Sequence, residues 1–433
     1  MKSLSLMGVY SGGLLAILLL IVVHAPLVVW LGTLLPEQSL VLKAWKELLL
    51  AVLSIIAVVL VSRRKLWPKV LGNVGIQLSL LYIVIHLALA ALLGGELPSI
   101  VSGLMIDLRF IVMFVLMYTL VLMQPAIFPK VLKISAIGAI IVLAFGLLQI
   151  TVLPDNILSS IGYSKDTIAP FITIDQNPDF VRINSTLRGP NSLGALLVVY
   201  GAVALAFLLR SKNVRERTLS VLSGAASVAV LFATYSRSAY LAAVLAAGTV
   251  LVVASKISKR LLIVGGLFVV WIAVLILLSV QSDWVSNVIF HEDPESTVVT
   301  KSNDEHIRSL KVGFERMMTE PLGRGVGSTG SASLYDSDGT NNIIIENHYF
   351  FIAHEAGWIG LATFVTLFVY LLRQLYMRRT QWLALGLFAG GIGLAVIGLL
   401  LPVWADDTVS IIWWGLVGAV VALPARPKVK ARL

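Results

Sequence analysis

Apolar runs of about 20 residues recur along the whole chain, and they decide what it can fold into. Inside a bilayer no water is available to bond exposed N–H and C=O groups, so a spanning segment is a helix or part of a closed barrel. Short alternating strands of the kind a barrel needs are absent from the sequence. The chain therefore reads as an all-α polytopic membrane protein. The expected spans, about twelve, are 12–35, 44–62, 74–94, 102–123, 132–153, 192–210, 218–235, 238–255, 261–280, 349–372, 381–402 and 409–424. The seventh and eighth are short and are split by Ser236-Arg237-Ser238. The first apolar run exceeds the apolar core of a signal peptide and has no small-residue cleavage site after it, so it reads as a retained span.

The net charge of +10 would point to nucleic acid in a soluble chain. Here it reports orientation. With the N-terminus in the cytoplasm, the inward segments 63–73, 124–131, 210–217, 256–260, 373–380 and 425–433 collect most of the Lys and Arg, with Glu216 as their one acid. An odd number of spans would destroy that asymmetry, so both termini are expected in the cytoplasm. The long polar connections, 154–191 and 281–348, then fall outside. No cysteine is present, which excludes disulfides and thiolate metal sites. The whole chain, 1–433, reads as a single integral-membrane domain.

Within the second outer connection, SNDEHIRSLKVGFERMMTEP reads as an amphipathic helix. Ser302 or Asn303 is placed to cap it and Pro321 to end it; Ile307, Leu310, Phe314, Met317 and Met318 share one face. It suits the membrane surface or the protein's own roof. The following GRGVGSTG contains a G-x-G-x-x-G string, but no strand precedes it and no βαβ unit surrounds it, so it reads as a tightly turning loop.

Arginines outside the inward segments are informative, because the orientation rule does not explain them. A guanidinium is always charged, and its planar fork grips phosphate oxygens in pairs. Arg237 lies in the turn between two minimal spans with no acid within 20 residues. Arg188 precedes Pro190 and Asn191, which open the sixth span, so it stands at a helix N-terminus that itself favours anions. Arg182 has Asp179 nearby, making an ion pair as reasonable as a binding role, and Arg308 lies on the outer helix. Asp107 and Arg109 mark either a site or the edge of the fourth span; Lys43, Lys46 and Glu47 read as interface anchors, and Asp406-Asp407 as a solvated turn.

In NNIIIENHYFFIAHEAGWIGL, the acids and histidines sit at the start of the tenth span. If its helix begins near Glu346, then Phe350, Ala353, Gly357 and Gly360 fall within about 40° of that residue. Glu346 would then stand above a seam of small residues, with His348 facing nearly the opposite way and His354 roughly two turns deeper, beside Glu355. A carboxylate so placed suits a general base for a hydroxyl.

Four stretches together carry a family likeness: RINSTLRGPNSLGALL, LFATYSRSAYLAA, HIRSLKVGFERMMTEPLGRGVGS and ENHYFFIAHEAGWIGL, with DDTVSIIWWGLVGAV as a fitting last span. In order and spacing they resemble the O-antigen ligase and O-antigen polymerase superfamily of bacterial membrane glycan transferases, over about residues 100–420. The resemblance implies an undecaprenyl-diphosphate-linked glycan donor, a glycan, lipid or protein acceptor, membrane lipids around the protein, and neither metal nor other cofactor nor nucleic acid. It maps the diphosphate-holding arginines onto Arg188 (or Arg182) and Arg237, with Asn191, Arg308, Asn347 and His348 as further substrate contacts. The ligases carry His before Asn in the last motif; here Glu346 precedes Asn347, a departure that favours a polymerase or another branch. The competing classes are a twelve-helix secondary transporter, for which related halves and broken helices are missing, a protein O-oligosaccharyltransferase of the same superfamily, and a non-catalytic glycan-lipid binder.

Overall fold

The computed structural model describes residues 5–174, 177–254, 302–335 and 343–424. Its helices in chain order are α1 (Leu6–Leu20), α2 (His24–Leu34), α3 (Ser39–Arg63), α4 (Trp67–Leu71), α5 (Val74–Leu93), α6 (Leu97–Met123), α7 (Phe128–Thr151), α8 (Pro190–Arg210), α9 (Val214–Phe232), α10 (Arg237–Ala254), α11 (Ser302–Thr319), α12 (His348–Met377), α13 (Trp382–Ile397) and α14 (Asp407–Ala422). Eleven of the twelve expected spans coincide with helices; the remaining one, 261–280, lies outside the described residues. Among the described residues, eight helical segments are long and apolar enough to cross a bilayer. Helices α13 and α14 are apolar but shorter, and α9 carries Arg215, Glu216 and Arg217 in its first turn. The protein is thus a polytopic helical membrane protein. One departure is a small antiparallel hairpin, β1 (Ile172–Ile174) with β2 (Asn177–Arg182), in the 154–191 connection.

Small residues set how the helices meet. Helix α13 runs antiparallel to α8 and in close contact with it: a Cβ on Gly386 would stand 2.5 Å from the Val203 Cα, and one on Gly390 3.2 Å from the Val199 Cα. Gly393, one turn further along, faces Val198 of α8 and the Ala242 carbonyl of α10. At its N-terminal end α8 meets α10 through Gly194, whose added Cβ would lie 2.7 Å from the Ala239 Cβ. Helices α8 and α10 are therefore parallel neighbours whose N-termini open at the same end of the bundle. Elsewhere the core is aromatic, with Phe110, Phe364, Phe368, Trp404, Trp413 and Trp414 in mutual ring contact.

Helix α12 begins at His348, with Asn347 as its cap accepting from the Tyr349 and Phe350 amides. The span therefore does not start at Glu346, which precedes the cap and belongs to no helix face. Nor is Gly357 part of a helix–helix seam. Its backbone is left-handed (φ 64°, ψ −171°), and it breaks α12 in two. The two halves fold toward each other, since the His348 and Phe364 rings are 5.7 Å apart. A straight helix would separate those two residues by roughly 24 Å.

The chain from Pro321 to Gly327 fills the break. Trp358 N–H donates to the Pro321 carbonyl at 2.9 Å, Gly325 N–H to the Glu355 carbonyl at 3.1 Å, and Arg324 N–H to the His354 carbonyl at 2.6 Å. Gly323 must lack a side chain here, because its Cβ would lie 2.6 Å from the Gly357 nitrogen. The glycine string is thus a tight, packed turn wedged between α6 and α12. The amphipathic helix α11 lies on the first half of α12 through Gly313, which faces Ile345 and Phe350, while Ile307, Phe314 and Met318 remain exposed. The helix thus docks on the protein's own roof through one face and leaves the other, apolar one exposed.

Candidate functional site

Arg182 ends β2 and is half-buried. The strand is tied to the α9–α10 turn by Ile183 N–H, which donates to the Ala233 carbonyl at 3.2 Å. That tie sets the guanidinium between two helix N-termini. Its Nε donates to the Thr234 carbonyl at 2.9 Å, and its Nη2 to the Asn191 Oδ1 at 2.7 Å. Among the described residues no ion pair joins it to Asp179. Burial pulls its pKa down to about 10; the neighbouring Arg237 guanidinium pushes in the same direction, and Tyr240 opposes it. Two guanidinium groups that repel one another in a half-enclosed place favour a counter-anion between them.

Arg237 is the first residue of α10, half-buried, and the turn before it is closed by Tyr235 in a left-handed conformation (φ 48°). Arg188 is exposed, without a hydrogen bond or ion pair to any described residue, two positions before α8. The segment just before it is a plug: Ser185 Oγ donates to the Val142 carbonyl and Thr186 Oγ1 to the Val22 carbonyl. That plug fixes where Arg188 emerges. Arg182, Arg188, Asn191 and Arg237 thus share the mouth formed by the N-termini of α8 and α10, whose dipoles add to the positive field. Asp155 lines the same pocket as Arg182. Asp406 is in side-chain contact with Ser192; burial and Asp407 raise its pKa.

The second set stands across α13. Asn347 Nδ2 donates to the Leu399 carbonyl at 2.8 Å, His348 N–H to the Gly398 carbonyl at 2.8 Å, and Tyr349 hydroxyl to the Ala395 carbonyl at 2.9 Å. The start of α12 therefore flanks the end of α13, and α8 with α10 flank its other side. With α13 between them, the helices that carry the two sets stand two interaxial spacings, roughly 16–20 Å, apart. Glu346 is about one-quarter exposed here, and its carboxylate hydrogen bonds the His306 Nδ1 of α11. Its amide N–H donates to Ser309 Oγ at 2.8 Å. Asn347 is fully engaged as cap and tether. His348 is 3% exposed, stacked on Phe351, and neither ring nitrogen has a partner. Arg308 is exposed on α11.

Three clusters escaped the sequence reading. Lys46 and Arg109 are buried rather than interfacial: Lys46 Nζ lies 3.0 Å from Asp407 and 3.3 Å from Glu47, and Arg109 lies 3.2 Å from Glu47 and donates to the Ala405 carbonyl. His24 completes the network at 3.2 Å from Asp407, so the Asp406-Asp407 turn is no solvated loop. Glu355 accepts from the Gly327 and Thr329 amides and meets the Asp107 carboxyl, which faces His86 at 3.9 Å. Glu320 is held by Arg316 at 2.5 Å and Arg324 at 2.9 Å; these cations lower its pKa against the opposing effect of burial. A cavity of about 210 Å³ opens between Gly94–Ser99, the glycine turn and His354, on the far side of α12 from Arg182. The Lys46–Asp407, Arg109–Glu47 and Glu355–Asp107 pairings are not visible from spacing, because they join residues from distant elements, whereas Arg316, Glu320 and Arg324 lie four residues apart.

With the geometry in place, comparison with known families is decisive for part of the chain. Residues 222–365 match the family model described as O-antigen ligase. That segment is similar to the O-antigen ligase family, which supports the resemblance to its superfamily. The O-antigen ligase match contains Arg237, Arg308, Glu346, Asn347 and His348; Arg182, Arg188 and Asn191 precede it. No curated protein matches the chain. The likeness to O-antigen ligases supports a glycosyltransferase-like activity in a multi-pass membrane protein.

Proposed function

We propose that this protein transfers a glycan from an undecaprenyl-diphosphate-linked donor to an acceptor hydroxyl at the outer face of the cytoplasmic membrane. It would act as a polysaccharide polymerase or an O-antigen-ligase-like enzyme, with residues 1–433 forming a single membrane domain whose two termini are cytoplasmic. The observation that carries this reading is the pairing of Arg182 with Arg237 at the adjoining N-termini of α8 and α10. Two helix dipoles and converging guanidinium groups suit a doubly charged headgroup carried by a lipid.

In this reading Arg182, Arg188 and Arg237 grip the diphosphate, and Asn191 holds Arg182 in place. As the anomeric C–O bond to the diphosphate breaks, its electron pair moves onto the leaving oxygen. The arginines offset that charge, the kind of term that dominates transfer reactions. The acceptor hydroxyl approaches from the Glu346 side of α13, and Glu346 orients it and serves its deprotonation. Arg308 and the outer connections contact the glycan. The departure at Glu346 from the ligase His-Asn pattern favours the polymerase branch.

Reconstitution of the full chain in proteoliposomes with a lipid-linked oligosaccharide tests this reading. Lengthened glycan is the expected product. Glycan on a lipid or protein acceptor would keep the chemistry and change the branch. Intact donor together with counterflow of a labelled solute would replace the reading with a transporter.

A further inference from the structure

We infer that His306 is the proton acceptor of the transfer reaction, with Glu346 as the carboxylate that positions it. This rests on the function proposed above and gives a role to a residue that opens the motif HIRSLKVGFERMMTEPLGRGVGS but had no part assigned to it there.

The two side chains come from different elements and meet deliberately. His306 lies on the packed face of α11, at helical spacing with Ser309 and Gly313. Ser309 Oγ receives the Glu346 amide, and donates in turn to the Ile344 carbonyl at 3.2 Å. These bonds fix the 344–346 backbone against α11 and bring the Glu346 Oε2 to the His306 Nδ1. A carboxylate on Nδ1 fixes the tautomer: the proton sits on Nδ1, and the Nε2 lone pair is free to accept. No described residue bonds that Nε2. The imidazole is one-third exposed, so an acceptor hydroxyl has access to it. The protein's other histidines in this region are unsuited. His348 is sealed among aromatic rings, and His354 is 1% exposed beside Glu320.

The step balances. The acceptor O–H proton passes to His306 Nε2, and the freed oxygen pair forms the new bond to the anomeric carbon. The old bond to the diphosphate breaks, and its pair leaves with the undecaprenyl diphosphate held by the arginines. The Glu346 carboxylate remains ionised and stabilises the imidazolium. A carboxylate paired with imidazole is a better base for a sugar hydroxyl than a carboxylate alone, because its conjugate acid lies nearer neutrality.

The test uses the reconstituted full chain with His306→Asn, His306→Ala and Glu346→Gln. Asparagine places an amide N–H where Nδ1 was, so it keeps the bond to Glu346 and the packing of α11 while removing the base. We expect His306→Asn to lower the transfer rate about 100-fold or more, with donor binding unchanged. Added imidazole should restore transfer in His306→Ala in proportion to its concentration, and should leave Glu346→Gln unrescued. Transfer by His306→Asn within threefold of wild type would overturn the assignment while the transferase reading stands. A wild-type chain that binds donor and never transfers its glycan overturns both.

Discussion

Arg182 shows how much one side chain can organise: it bonds the α9–α10 turn and Asn191 at once, and pays for its enclosure with a lowered pKa of about 10. The sequence marked it through its charge and outer position, but offered Asp179 as an equally reasonable partner. The choice between them was made by the Ile183–Ala233 backbone bond, which sets Arg182 beside the α9–α10 turn. Lys46 is the opposite case. An amine at the edge of an apolar run reads as an interface anchor, yet it is 3% exposed between Asp407 and Glu47. Replacing Lys46 with Met leaves the enclosed Asp407 carboxylate with His24 alone, while Glu47 keeps Arg109, and should cost about 3–5 kcal/mol. Thermal unfolding in detergent measures this, and adding Asp407→Asn to Lys46→Met should recover part of the loss. Additive losses in the double variant would show that the two residues do not interact.

At the scale of elements, helix boundaries were legible wherever apolar length alone set them, and least legible where a special backbone intervened. Periodicity placed α12 correctly as a span but could not show that it is two half-helices, because Gly357 looks like any small residue in a Gly-x-x-Gly pattern. Only its left-handed φ and the approach of Pro321 give it away. A Cβ at Gly357 would lie 2.5 Å from the Pro321 carbonyl oxygen, in a backbone region that is nearly confined to glycine and costs an L-residue about 1–3 kcal/mol. Gly357→Ala should therefore expel the glycine turn. Hydrogen exchange should accelerate at the Arg324, Gly325 and Trp358 amides, which bond across the break, and stay unchanged in α8. Unaltered exchange at those three amides would mean that the break tolerates a side chain. The outer helix α11 teaches a related lesson: its exposed stripe was readable from spacing, whereas the role of its packed face, which carries His306 to Glu346, depended on a segment 40 residues later.

At the scale of the whole molecule, charge asymmetry and apolar runs carried the fold class, and the motifs carried the family. The convergence of α8, α10, α12 and α13 on one mouth was not readable, since it depends on which helices pack together. The orientation is directly testable, because the chain has no cysteine to interfere. A single cysteine at Asp166 should react with a membrane-impermeant maleimide in intact cells, and one at Thr380 only after permeabilisation; the reverse pattern would invert the topology. The central claim is that Arg182 and Arg237 together hold a lipid diphosphate. Binding of undecaprenyl diphosphate itself, free of any glycan, to the purified wild-type chain and to Arg182→Ala/Arg237→Ala tests it most directly. The account predicts saturable binding by wild type and an affinity at least about 100-fold weaker in the double variant, consistent with the loss of two charge-assisted contacts of about 1.5–3 kcal/mol each. Equal binding by the two proteins would contradict it.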